Sequence, residues 1–145
     1  MPSYFVAHTY FWGNTHLKNL GQERATRISP AASTLKAGIP FTFHQDTPVL
    51  EPDMLRTVWC AVNRTAQSGR ILGPGQRVTV EEALRAVTKN AAYQYFEEDR
   101  KGVIRQGMLA DLTVLSENPL KTDPARLREI AVCETIREGE TLYQA

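Results

Sequence analysis

An α/β protein whose last third turns to β structure is what this sequence predicts. Residues 39–46 form an apolar run ending in Asp46 before a Thr47-Pro48 exit, and residues 3–8 form a second run ending in His8. Helical patterns separate and follow these runs, and beyond about residue 100 strands and turns take over. In parallel α/β proteins the strand ends and the loops after them make the active face, so His8 and Asp46 are expected to share one site.

Each element follows from its local pattern. After the strand at 3–8, Thr9-Tyr-Phe-Trp-Gly-Asn-Thr-His16 reads as an aromatic loop with a Gly-Asn turn signal. Residues 17–27 stay open between helix and short strand, because Gly21 interrupts the helical spacing of Leu17 and Leu20. Ser29-Pro30 supplies an N-cap and a first-turn proline for a helix over 31–36, with Gly38 as its left-handed C-terminal cap. The strand at 39–46 is apolar enough to be buried on both faces, with His44 and Asp46 on one and Phe43 and Gln45 on the other. Pro52 can start a helix whose stripe is Met54, Leu55, Val58, Trp59 and Val62, leaving Cys60 off the stripe. Gly73-Pro-Gly75 lacks the Lys-Ser/Thr ending of a phosphate loop and reads as a turn.

Thr79 and Glu82 form a reciprocal capping box, opening a helix that buries Val80, Ala83, Leu84, Val87 and Ala91. Strands follow at 110–115 and 130–136, and Glu138-Gly139 turns the latter back into 141–143 as a hairpin. A boundary near residues 95–100 results.

Composition narrows the function classes. With 145 residues, 42% hydrophobic and 23% charged, the chain has material for one ordinary core. Its net charge of +1, with both signs interspersed, gives no field for nucleic acid or anionic lipid, so neither partner is expected. Residues 1–8 lack a basic segment and a long apolar run, which predicts neither signal peptide nor membrane span and leaves the cytoplasm as default. Cys60 and Cys133 lie far apart without metal-like spacing and are expected to be free thiols, with no base placed beside Cys60 to make it a nucleophile. The Asn63-Arg-Thr65 sequon carries no weight without secretion.

Three longer motifs resemble a known family. Thr79-Val-Glu-Glu-Ala-Leu-Arg-Ala-Val-Thr-Lys-Asn-Ala-Ala92, Lys101-Gly-Val-Ile-Arg-Gln-Gly107 and Leu109-Ala-Asp-Leu-Thr-Val-Leu115 look like the C-terminal signature of metal-dependent amidohydrolases. Gln45-Asp46-Thr-Pro48 is similar to the Ser-Asp-x-Pro of that superfamily's eighth barrel strand, and Trp12-Gly-Asn14 points to the branch of YtcJ-like proteins and N-substituted formamide deformylases. The resemblance implies a (β/α)8 TIM-type barrel with an appended small β-sandwich. Such barrels take roughly 250 residues, so residues 1–98 are expected to be the C-terminal part of the barrel and residues 99–145 part of the β-sandwich.

The resemblance also implies an activity: hydrolysis of carbon–nitrogen bonds in a small, amide-like, non-peptide substrate. Such bonds resist hydrolysis unless water is ionised and the leaving nitrogen protonated. By the resemblance, His8 matches the histidine ending the sixth strand, a metal ligand or a group polarising the substrate carbonyl. Asp46 matches the acidic residue ending the eighth strand, which binds metal and exchanges protons with the attacking water and leaving amine. Tyr10, Trp12 and His44 are candidates for substrate contact, while a solvated His16 and a structural Asp111 are the default readings. The complete family enzyme uses a divalent metal, zinc by expectation. Its first-strand His-x-His pair, fourth-strand lysine or glutamate and fifth-strand histidine have no counterpart in residues 1–145. An incomplete catalyst follows, one that by itself binds no metal or only a deficient set, with self-association or a separate N-terminal half as partner. Gln45 replaces the usual serine, and His44 stands where small residues are common. Without the resemblance, His8 reads as a core histidine and Asp46 as a turn cap. The alternative function is a catalytically silent remnant that binds itself or a partner.

Overall fold

A computed structural model describes all residues, 1–145. Two small sheets lie at opposite ends of the chain, with helices between them in sequence. The first is a parallel pair, β1 (Ser3–Tyr4) and β2 (Thr42–Phe43), in the register Ser3 to Thr42 and Tyr4 to Phe43. It is short because the predicted strand at 3–8 ends early: His8, Thr9 and Tyr10 already donate backbone bonds to Phe5, Val6 and Ala7. The buried Thr9 hydroxyl also donates to the Val6 carbonyl at 2.8 Å. His8 is therefore the first residue of helix α1 (His8–Phe11) and not the last residue of a strand.

Helix α2 (Gly13–Ala25) follows at once, where the sequence suggested an aromatic loop. Gly13 explains it: a Cβ there would stand 3.0 Å from the Ala66 side chain, so glycine lets the helix start against the loop after the fourth helix. Gly21, with φ 74°, kinks α2 where its helical spacing fails. Helix α3 (Ala31–Lys36) closes on Gly38 as predicted, with Ile39 donating back to the Thr34 carbonyl. Ser29 does not cap it; its hydroxyl turns to the Phe5 carbonyl at 3.5 Å.

Helix α4 (Met54–Asn63) is capped by Asp53, whose carboxylate accepts from the Arg56 backbone at 2.8 Å, rather than started by Pro52. Its buried face is wider than the predicted stripe and includes Thr57, Cys60 and Ala61, while Met54 is exposed. Helix α5 (Val80–Val87) shows the predicted box, with Thr79 N–H donating to Glu82 and Glu82 N–H to the Thr79 hydroxyl. It breaks at Thr88, whose backbone is non-helical (φ −125°, ψ −89°) and whose hydroxyl donates to the Leu84 carbonyl, and α6 (Lys89–Gln94) follows. Gly102 sits against that break with φ 96°, and a Cβ there would come within 2.7 Å of the Ala92 methyl.

The second sheet, in the order β3 (Leu112–Leu115), β4 (Val132–Arg137) and β5 (Glu140–Gln144), is antiparallel. Glu138 and Gly139, with φ 51° and 88°, make the predicted turn, and the Asp111 carboxylate accepts from the Glu138 N–H at 2.9 Å. No residue of this sheet is buried. Its attachment lies in the 3-10 helix Pro124–Glu129, where Leu127 and the following Ile130 enter the same core as Val6, Phe41, Phe43, Val58 and Ala83. Trp59 seals that joint, donating Nε1–H to the Ala125 carbonyl at 2.8 Å beneath the Arg128 guanidinium, 4.5 Å from its ring. No helix is long and apolar enough to cross a membrane.

Candidate active site

His8, His44 and Asp46 gather just beyond the C-terminal ends of β1 and β2. Because these strands pair directly, the two polar residues follow neighbouring strands. Phe5 is the floor of the group: its ring centroid lies 4.4 Å from His8, 5.5 Å from His44 and 5.9 Å from Trp12. Trp12 also packs on His8 at 4.8 Å.

Asp46 is exposed and takes a left-handed backbone, φ 54°, which aspartate tolerates better than most residues. The alternation predicted for this segment appears beside it: Phe43 and Gln45 are buried, Gln45 donating to the Thr57 hydroxyl at 2.7 Å, while His44 is half-buried. His44 Nδ1 is hydrogen-bonded to the Ser3 hydroxyl at 2.8 Å.

The half-buried His8 has its pKa lowered, first by burial and then by the neighbouring His16 and His44, against an opposing pull from Asp46. The neutral imidazole is thereby favoured. Its Nδ1 is hydrogen-bonded to His16 Nε2 at 3.0 Å. The sequence pattern leaves His16 to solvent, although it holds a signal to the contrary. His8, Trp12 and His16 are spaced i, i+4, i+8, and helical bonds run on from Trp12 N–H to His8 and from His16 N–H to Trp12.

Tyr10 does not join this group. Two residues along from His8, it points across the helix and packs edge-on against Trp59 at 5.4 Å and Phe11 at 4.9 Å, within 6.0 Å of Arg128. Arg64, which no sequence pattern singles out, ties the end of α4 to the loop before α3. Fully buried, it donates Nε–H to the Leu72 carbonyl (2.7 Å), and Nη1 and Nη2 to those of Ser29 (3.0 Å) and Ile28 (2.8 Å). Burial lowers its pKa to about 10, which leaves it charged at neutral pH.

The donors present do not fit a metal centre by themselves. No three His, Cys, Asp or Glu side chains lie close enough together to hold an ion, whereas catalytic zinc takes three protein ligands. Two of the nearby ring nitrogens, His8 Nδ1 and His44 Nδ1, are also already engaged. An open groove of 970 Å³ lies elsewhere, between α4, α5, α6 and the second sheet. Leu55, Leu84, Val87, Tyr95, Val103 and Leu112 line it, and none of the strand-end polar residues reaches it. Cys60 is fully buried with its thiol pushed up to about 12, which removes it as a nucleophile.

Comparisons with known proteins agree with one another. The model of the amidohydrolase family matches residues 2–143. The N-substituted formamide deformylase of Arthrobacter pascens is 31% identical over 92% of this chain and 25% of its own length. The YtcJ protein of Bacillus subtilis is 28% identical over 99% of this chain and 27% of its own. This chain thus spans about a quarter of the length of either relative. An uncharacterized metal-dependent hydrolase from Pyrococcus furiosus superposes with a TM-score of 0.64, at 27% identity, over 82% of this chain and 24% of that one.

Proposed function

The chain belongs to the amidohydrolase family, and from that premise we propose that it supplies the C-terminal part of a metal-dependent hydrolase of non-peptide, amide-like carbon–nitrogen bonds. Residues 1–98 serve as the closing part of a TIM-type barrel and residues 99–145 as part of its β-sandwich, in a cytoplasmic enzyme. The observation that carries this reading is that His8 follows β1 and Asp46 follows β2, two directly paired parallel strands, in a chain that the family model matches almost end to end.

Asp46 is the catalytic carboxylate. Exposed at the strand end, it can take a proton from the attacking water and return it to the leaving nitrogen. Of the two roles the resemblance allows His8, we assign polarisation of the substrate carbonyl, because no third ligand gathers with His8 and Asp46, while His8 Nε2 is left for an oxygen partner. Trp12 and His44 wall the substrate, with Phe5 beneath. A divalent metal, zinc by the resemblance, belongs to the complete enzyme, and Asp46 is this chain's ligand to it.

The test is complementation. The chain alone, given zinc or manganese, is expected to bind less than one ion per monomer and to hydrolyse no formamide or cyclic amide. Mixed with the separately produced N-terminal three-quarters of a family member, it is expected to gain turnover that Asp46→Asn abolishes. Stoichiometric tight binding with turnover by the chain alone would overturn the incompleteness; turnover unaffected by Asp46→Asn would overturn the role of the carboxylate.

One observation favours a second reading, a silent self-associating module. Tyr95, Phe96 and Ile104 are 73%, 90% and 92% exposed, and both sheets have open edges. Light scattering decides it: a monomer at high concentration removes this reading.

A further inference from the structure

The His8–His16 contact constrains more than position. The two nitrogens stand 3.0 Å apart, the ring planes differ by 17° and the centroids lie 5.2 Å apart. The centroid spacing exceeds the nitrogen gap by about two ring radii, so the rings meet edge to edge in nearly one plane, as an N–H···N bond requires. Such a bond holds a single proton: two would repel, and none would set two lone pairs against each other. The tautomers are therefore coupled. Either both rings carry hydrogen on Nε2 and His16 donates, or both carry it on Nδ1 and His8 donates.

Two considerations select the first arrangement. With Nδ1 engaged, Nε2 is the nitrogen His8 has left for other partners, and Asp46 is close enough for its negative charge to act on His8. A carboxylate or carbonyl oxygen favours N–H at that nitrogen. Neutral histidine side chains also intrinsically prefer hydrogen on Nε2, so neither ring is asked to take its minor form.

We propose that His16 is a positioning residue that holds His8 as an Nε2–H donor, so that the ligand His8 takes is an oxygen acceptor such as an amide carbonyl rather than a metal ion. The proposal rests on the reading of His8 as the polarising group and gives it a structural cause.

The experiment is NMR of the ¹⁵N-labelled full chain, using long-range ¹H–¹⁵N correlations to assign tautomers and a coupling across the N–H···N bond to detect it. The expected result is hydrogen on Nε2 of both rings, a coupling between His16 Nε2 and His8 Nδ1, and no loss of the His8 Nε2–H on adding excess zinc. Hydrogen on His8 Nδ1 with a bare Nε2, or no coupling in the folded chain, overturns the proposal. Two variants separate positioning from packing: His16→Gln keeps an N–H donor and is expected to preserve the His8 signals, whereas His16→Phe is expected to shift and broaden them. Unchanged His8 signals in a folded His16→Phe chain also overturn it. None of these readouts needs turnover, so an inactive complemented enzyme with the expected tautomers would count against the hydrolase reading alone.

Discussion

The two sheets of this protein are held in opposite ways. The parallel pair β1–β2 has only two paired residues per strand, yet Val6, Ala7, Phe41 and Phe43 around it are all buried. The antiparallel sheet β3–β5 has strands of four to six residues and a tight hairpin, yet buries none of them. Ladder length therefore does not measure anchoring here. The parallel pair is fixed by helices packed on it, and the antiparallel sheet by its own ladder, the partly buried Leu115 of β3 and an apolar tether at Leu127 and Ile130. The proposed site lies on the packed pair, which suits groups that must keep their geometry.

Each region carries one cysteine, which permits the sharpest test of the contrast. At pH 8 a thiol with a pKa of about 12, like that of Cys60 in α4, is ionised to about one part in ten thousand, and no part of it is exposed. Cys133 in β4 is partly exposed. Iodoacetamide followed by mass spectrometry is expected to label Cys133 in the native protein and Cys60 only in denaturant, with rates about three orders of magnitude or more apart. Comparable native rates would mean that the helical region opens as readily as the sheet.

The tether comes next in size. Leu127 is fully buried, and Leu127→Ala is expected to cost about 2–5 kcal/mol, measured by urea unfolding. If the antiparallel sheet has no other anchor, amide exchange in β3–β5 rises in this variant while α5 stays protected. A loss spread evenly over both regions would show them to be one cooperative unit.

Legibility in the sequence divides along the same line. The antiparallel sheet, its Glu138-Gly139 turn and the Thr79–Glu82 box are readable almost residue by residue, because each is fixed by neighbours close in the chain. Near the strand ends, His8, Trp12 and His44 share the Phe5 ring, although His8 opens a helix where the pattern ended a strand. What fails depends on distant contacts. Residues 9–16 resemble a loop because they are aromatic and contain Gly13, but Ala66, more than fifty residues on, is what makes that glycine a helix start. Cys60 falls outside the predicted stripe because α4 is covered on more than one side. Arg64 leaves no trace, since an arginine is expected at the surface unless paired, and its partners are carbonyls that no side-chain pattern reports. Tyr10 is drawn to Trp59, which the sequence could not put beside it.

The hairpin turn separates backbone from burial within the weaker sheet. Gly139 has φ 88° and open space where a side chain would stand, so Gly139→Ala meets no clash, only the left-handed backbone penalty of about 1 kcal/mol. Equilibrium unfolding is expected to show that loss even though no buried surface changes.

The smallest effect is the most pointed. Leu142 in β5 is 63% exposed and stands unpaired where the β4–β5 register shifts between Thr141 and Tyr143, and Leu142→Ala is expected to change stability by less than about 0.5 kcal/mol. The reasoning is that the ladder bonds of β4 and β5 are made by backbone and survive the truncation, while the leucine side chain contributes little where water already reaches most of it. A loss as large as that of Leu127→Ala would mean that Leu142 is covered in solution. In that case the antiparallel sheet would be buried against a second copy of the chain, and the contrast between the two sheets would belong to the isolated monomer only.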